Sequence, residues 1–410
     1  MNDAIWIAGV LALTLAGAWA TRIEFVRRLE FPARLAIAFT CGLATTGLLL
    51  AVRLPWTRAT LLIAMAVGAA LWRRGERMTT EPRTWILFAA IAILTCYGSL
   101  AARQTTGDLL FFWGPKAVHF YEAGRIDFEF LATPHYFLMH SDYPPLLPLV
   151  YAAGNIAAHE MSWWGAILFS SICIIAAALA FRGIARTRLG ERRASAFATL
   201  LLATLAYGIA TSNAAGGADA LLYLFAVVAI AALTFEDHRL LAAITLTALV
   251  LVKVEGLPFA MVILGGWLIT RRKVVDTLTI AIAPLIAIGV WIVVVYRFNI
   301  QDAYTVGRKP FRPDHLDDVI RWVSVHASYR AAWLPWIAAL VPFAFAQNLR
   351  RAAFPLVVAG GTLAVTLLFY LQGNDSPEWW IAASAERVLL TPLASLIVAA
   401  AASSADETLC

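Results

Sequence analysis

Charge is scarce in this chain. Only 14% of its 410 residues are Asp, Glu, Lys or Arg, where a soluble domain carries about 25%. Apolar residues make up 61%, which excludes an ordinary soluble globule. Cysteine is scarce too: Cys41, Cys96 and Cys173 sit inside apolar runs and Cys410 is the last residue. No spacing among them suggests a metal site or a disulfide framework. The sequence lacks a phosphate-binding Gly-rich loop, a zinc-protease helix motif and a serine nucleophile elbow. It also lacks the short alternating segments of a membrane β-barrel. The net charge of +6 does not point to nucleic acid, because the basic residues fall in short clusters between apolar runs, the pattern of membrane topology.

What is present is a series of apolar windows, several approaching the roughly 20 residues that cross a bilayer as a helix. About thirteen spans are predicted, at 4–20, 35–52, 57–72, 84–101, 162–181, 196–212, 219–235, 240–254, 257–270, 274–296, 332–346, 354–371 and 388–403. The fold class is therefore all-α, a polytopic transmembrane helical protein. Ile5–Ala20 ends in small residues as a signal peptide can. The residues before it hold Asp3 and no Lys or Arg, so it reads as a retained first helix. Nineteen of the 32 Lys and Arg lie in one side's short loops, from Arg22 through Arg73, Arg182–Arg193, Arg239 and Arg271–Lys273 to Arg350 and Arg351. Basic short loops stay in the cytoplasm, so the N-terminus is expected outside and the C-terminus inside.

The other side then holds three polar loops, at about 102–160, 297–331 and 372–387. Six of the seven histidines are there: His119, His135, His140, His159, His315 and His326. Long loops are more often functional than short ones. Within the first, Phe111, Phe112, Trp113, Phe120 and Tyr121 suit an interfacial helix. Pro115 fits its first turn and Gly124 its end. A second helix is expected to start at Pro144 or Pro145 and run towards His159. Asp108 follows the fourth span by a few residues.

This arrangement resembles the GT-C class of membrane glycosyltransferases, which use sugars carried on a polyprenyl phosphate. The class has an acidic residue opening the first large outer loop, then a helix along the membrane, then a Pro-Pro-Leu element. Here those features look like Asp108, Trp113–Ala123 and Asp142-Tyr143-Pro144-Pro145-Leu146. Gly217-Ala218-Asp219, Lys253-Val254-Glu255-Gly256 and Ser384-Ala385-Glu386-Arg387 add to the likeness, which is to bacterial members related to the lipid A aminoarabinose transferases and the protein mannosyltransferases. The likeness covers about 84–403, leaving 1–83 as a three-span extension and 404–410 as a cytoplasmic tail. Two positions depart from it. Tyr143 stands where those relatives mostly have a basic residue or His before Pro-Pro, and Asp108 is followed by Leu109 rather than a second acid.

The resemblance implies an inverting transfer on the outer face of a bacterial inner membrane, from a polyprenyl-phosphate sugar to a hydroxyl of a lipid or glycan acceptor. Membrane lipids are the other partners, and neither cofactor nor metal is required. Asp108 is then the general base, since a carboxylate is ionised at neutral pH and accepts the acceptor's proton. Its bland reading is a helix cap. Asp142 is a second acid, or a turn residue before prolines. His140 with Asp142 is a weak metal signal. Lys116, Arg387 and the cluster Arg308, Lys309 and Arg312 are the cations available to a donor phosphate. For Lys116 snorkelling is the alternative, and for the cluster solvated charge. Trp113, His140 and Tyr143 complete the candidate substrate contacts. Asp219, Lys253 and Glu255, at span ends, either touch substrate or pair among themselves to hold helices together. Trp163, Trp164, Trp379 and Trp380 fit an aromatic belt. Two rival readings remain: a lipid-linked-sugar transporter, and a non-catalytic subunit that binds lipid-linked glycan. No internal repeat of the transporter kind is found.

Overall fold

In a computed structural model of the chain, the described residues are 2–51, 57–75, 81–101, 107–133, 140–211, 215–301, 311–328, 333–346, 348–372 and 376–405. Among them the structure is all helix and turn, with one isolated antiparallel bridge between Phe311 and Gln372. The order is α1 (Asn2–Ala16), α2 (Glu24–Arg28), α3 (Phe31–Ala51), α4 (Arg58–Leu71), α5 (Arg83–Ala101), α6 (Gly114–Ala123), α7 (Phe128–Ala132) and α8 (Leu146–Ala158). There follow α9 (Trp163–Thr211), α10 (Asp219–Phe235), α11 (Arg239–Val250), α12 (Gly256–Arg271) and α13 (Val274–Arg297). The chain ends with α14 (Leu316–Ser328), α15 (Trp333–Leu340), α16 (Ala353–Tyr370), α17 (Pro377–Val388) and α18 (Leu390–Ser403). Among the described residues each apolar window of the sequence contains helix, although the window 240–254 is cut short, with α11 ending at Val250 and Lys253 on the turn that follows. Six stretches among the described residues are long and apolar enough to cross a membrane: Asn2–Arg22, Arg83–Ala101, Trp163–Ala210, Val274–Arg297, Ala353–Tyr370 and Ser384–Ser403. Arg83–Ala101 and Val274–Arg297 stay largely uncovered, and on the latter Val275, Ile286, Val293 and Tyr296 are exposed, whereas Trp163–Ala210 and Ser384–Ser403 lie mostly inside the bundle.

α9 is two helices. Gly190 takes φ +73°, a left-handed region that glycine enters without a Cβ penalty. The chain folds back there, because Arg182 Nε donates to Ser195 Oγ at 2.9 Å. In a straight helix thirteen residues would separate them by about 20 Å. The two limbs match the predicted windows 162–181 and 196–212.

The first three apolar helices do not form a separately packed extension. Trp6 of α1 is fully buried and its indole donates to Asn155 Oδ1 of α8 at 2.8 Å. Ile37, Phe39 and Leu43 of α3 belong to the same core as Phe169 of α9 and Leu246 of α11. α1 and α3 cross so closely that a Cβ on Gly42 would sit 1.9 Å from the Leu13 carbonyl. Small residues at such crossings let helix backbones pack by dispersion where lipid offers no hydrophobic drive.

The ends of the bundle sort by charge. At one, Arg193 donates to the Ser404 carbonyl, Arg351 to the Ala405 carbonyl, Arg22 to the Leu71 carbonyl, and Arg192 pairs with Glu81. These basic residues were all expected on one side. The opposite end gathers the long polar loops: Asp3 accepts from Ser162 there and Asn2 donates to Glu160.

Candidate functional site

Five ionisable residues from four distant parts of the chain meet at the polar-loop end. Asp108 precedes a π-helical turn, Leu109–Trp113, that runs into α6. Such turns are rare and concentrate at functional sites. Its side chain makes no capping hydrogen bond. Instead Oδ2 accepts from Arg387 Nη1 at 2.5 Å. The same nitrogen lies 3.5 Å from Asp219 Oδ2, while Lys253 Nζ pairs with Asp219 Oδ1 at 2.7 Å and with Glu255 at 3.1 Å. The pairing of Lys253 with both acids, one of the two readings of the sequence, is thus realised. The cluster holds three carboxylates and two cations.

Local structure explains each position. Gly216 has φ +79°; its N–H donates to Ser170 Oγ and its carbonyl accepts from Tyr151. That turn delivers Asp219 to the first turn of α10. Lys253 and Glu255 lie on the turn between α11 and α12, closed by the Gly256 N–H to the Lys253 carbonyl. Asp219 and Glu255 therefore sit at two helix N-termini, whose dipoles favour negative charge. The Leu146 N–H donates to the Leu251 carbonyl, so the Pro144-Pro145-Leu146 element abuts this same turn. Arg387 ends α17, and its carbonyl accepts from Tyr223 at 2.5 Å.

Burial is uneven. Asp219 and Lys253 are buried, whereas the side chains of Arg387 and Asp108 are 19% and 28% exposed. Asp219 Oδ2, Glu255 Oε2 and Arg387 Nε are enclosed without a hydrogen-bond partner. Buried polar atoms are normally satisfied, so the cluster retains hydrogen-bonding capacity. An apolar crevice is lined by Tyr207, Trp336, Ala385, Leu389, Leu390 and Leu393, with His326 and Glu386 among its polar members; Glu386 adjoins Arg387 in sequence.

The other sequence candidates fall into separate groups. Trp113, His140 and Tyr143 form an aromatic knot with Phe112: His140 stacks on Tyr143 at 4.5 Å and meets Phe112 at 4.3 Å, and Trp113 is 5.9 Å from Tyr143. Lys116 is neither a snorkelling residue nor a surface cation. It is buried, lies over the Trp113 ring at 5.4 Å and donates to the His140 carbonyl. It braces the loop that a donor phosphate was expected to reach. Asp142 belongs to this second group, and its carbonyl accepts from Trp291 at 2.8 Å. Arg312 is exposed and pairs with its neighbour Asp314 at 3.1 Å, so the structure does not bring it into the five-residue cluster. Arg308 and Lys309 lie outside the described residues. No group of three His, Cys, Asp or Glu with metal-ligand geometry occurs among the described residues.

Tyr223 was missed by sequence reasoning, although it stands four residues after Asp219 and so on the same face of α10. A second ionic network was missed as well. At the basic end, Arg182 pairs with Glu30 and with Glu191 at 3.4 Å, and Arg186 bridges the same two glutamates at 3.2 and 3.0 Å. Trp85 caps the Arg182 guanidinium at 4.0 Å. Comparison with family models, with curated proteins and with solved structures finds no match to this chain.

Proposed function

We propose that this chain is an integral membrane glycosyltransferase of GT-C type, crossing a bacterial inner membrane about thirteen times with its N-terminus outside. The observation that carries the reading is the convergence of Asp108, Asp219, Lys253, Glu255 and Arg387 at the end of the bundle that also holds the long loops. Charges at membrane depth are expensive and mark function, and three of these five, Asp219, Glu255 and Arg387, retain an enclosed atom without a hydrogen-bond partner. The crevice has the apolar lining that a polyprenyl chain requires, and Arg387 has the charge and fork that a phosphate requires.

Asp108 takes the proton from the acceptor hydroxyl as that oxygen attacks the anomeric carbon. The new carbon–oxygen bond forms on the face opposite the bond to phosphate, which breaks. Its electron pair leaves with the polyprenyl phosphate, whose charge Arg387 stabilises. The anomeric configuration inverts.

The test uses the purified protein in nanodiscs with labelled polyprenyl-phosphate hexoses and pentoses and an envelope lipid and glycan fraction as acceptor. The expected result is label in the acceptor and release of polyprenyl monophosphate. Movement of intact lipid-linked sugar across vesicles, without release, would replace this reading with the transporter. Orientation is tested separately in a cysteine-free background. An impermeant thiol reagent should label Arg125→Cys but not Arg192→Cys in spheroplasts, and the reverse pattern would move the site to the cytoplasm.

A further inference from the structure

The proposed base is not free to act in this structure. Asp108 Oδ2 accepts a charge-assisted hydrogen bond from Arg387 at 2.5 Å, so that oxygen is already occupied by a donor and is not open to an acceptor hydroxyl. The two partners belong to differently packed parts of the protein. Asp108 leads into Leu109 and Trp113, which are buried in the main core. Arg387 ends α17, which packs with α14 around a small second core of Val319, Tyr370, Leu371, Ile381 and Ala385.

The backbone at Arg387 is pinned to α10 through the Tyr223 hydroxyl, so the guanidinium is the part that can relocate. Its Nε is enclosed without an acceptor, and the crevice passes its neighbours Glu386 and Leu389. A phosphate presents paired oxygens that match the guanidinium fork. Asp219, 3.5 Å away and already held by Lys253, keeps a counter-charge beside Arg387 when Asp108 is released.

We propose that Arg387 is an electrostatic latch on Asp108, opened by the lipid phosphate of the donor. Phosphate and Asp108 compete for one guanidinium, so the carboxylate becomes available as a base only when the donor is seated. This rests on the glycosyltransferase reading, whose leaving group is that phosphate. In the transfer, the proton of the acceptor hydroxyl ends on Asp108 and the electron pair of the broken bond ends on phosphate paired with Arg387.

The test is equilibrium binding of polyprenyl monophosphate to the intact protein in nanodiscs. Asp108→Asn removes the competitor, so affinity should rise, by roughly 3- to 10-fold for a partly exposed pair of about 1 kcal/mol. Asp108→Ser, with the same loss of charge and a different shape, should behave alike, and the free polyprenol should bind parent and variants equally. Arg387→Gln should weaken phosphate binding. Weaker binding with Arg387→Gln but unchanged or weaker binding with both Asp108 variants overturns the latch and leaves the phosphate site standing. No preference for phosphate over polyprenol in the parent removes the donor reading, and the latch with it.

Discussion

Among the described residues one largely buried ionic network stands at each end of the bundle, and the two are built to different specifications. Glu30, Arg182, Arg186 and Glu191 form a balanced set of two acids and two bases. Each base pairs with each acid, Ser195 accepts from Arg182, and Trp85 covers its face. It ties the loop before α3, the start of α5 and both limbs of the α9 hairpin together. The network at Asp108 has three acids to two bases, and three of its five members, Asp108, Glu255 and Arg387, are partly exposed. A closed network holds helices in register, whereas an open one keeps interactions in reserve for something else. The lesson is that burial of charge alone does not identify a site. Charge balance is what separates the network that ties helices together from the one proposed as the site.

The largest expected effect lies in the open network. Asp108→Asn keeps the shape of the side chain and removes the proton acceptor, so transfer should fall about 100- to 10,000-fold, the usual contribution of a positioned base. The melting temperature in detergent should barely move, since a partly exposed pair contributes about 1 kcal/mol at most. Full activity in this variant would dissolve the distinction between the two ends.

Arg387→Gln should weaken donor binding roughly 10- to 150-fold, the loss of one charge-assisted contact of about 1.5–3 kcal/mol. A Michaelis constant equal to the parent's would exclude Arg387 from the phosphate. Lys116 sharpens the contrast. Lys116→Ala should act through the His140 loop, lowering turnover and stability together, because its ammonium is spent on a carbonyl inside the protein.

The closed network should answer in stability instead. Arg182→Met leaves Glu30 buried beside Arg186 alone and should destabilise by about 3–5 kcal/mol, the cost of breaking one side of a buried pair. The fraction that remains folded should transfer sugar at the parental rate. A stable but inactive Arg182→Met protein would place function at the wrong end.

The smallest effect concerns pH at the first long loop. Burial raises the pKa of Asp127, but the hydrogen bond from His119 and those from the Phe130 and Glu129 N–H groups outweigh it and hold it below the usual carboxylate value. The stabilisation is therefore complete above the ordinary aspartate pKa of about 4 and is lost as pH falls through the lower folded value. Proteolysis within 120–133 should accelerate below about pH 4, and Asp127→Asn should abolish that step.

Much of the open network was legible because its members break a pattern. Asp108, Asp219, Lys253, Glu255 and Arg387 border long apolar runs where charge is costly, and each could be picked out on that ground. Their mutual pairing was not legible, since Asp108 and Arg387 are 279 residues apart. The helices were legible for the same reason: apolar runs between basic loops have no other stable form in a bilayer. The closed network escaped because Arg182 and Arg186 sit among arginines that serve to count topology, with nothing local to tie them to Glu30. Lys116 was legible as a cation in the first long loop, but its hydrogen bond to the His140 carbonyl 24 residues away was not, because side-chain chemistry does not announce a backbone acceptor.

The most direct test of the account is a map of the protein in nanodiscs saturated with polyprenyl monophosphate. The account predicts phosphate density within about 3 Å of the Arg387 guanidinium, Asp108 released from it, and chain density in the crevice beside Leu389 and Leu390. Phosphate seated instead at the Arg182 end, or an unchanged Asp108–Arg387 pair with no phosphate near it, would contradict it.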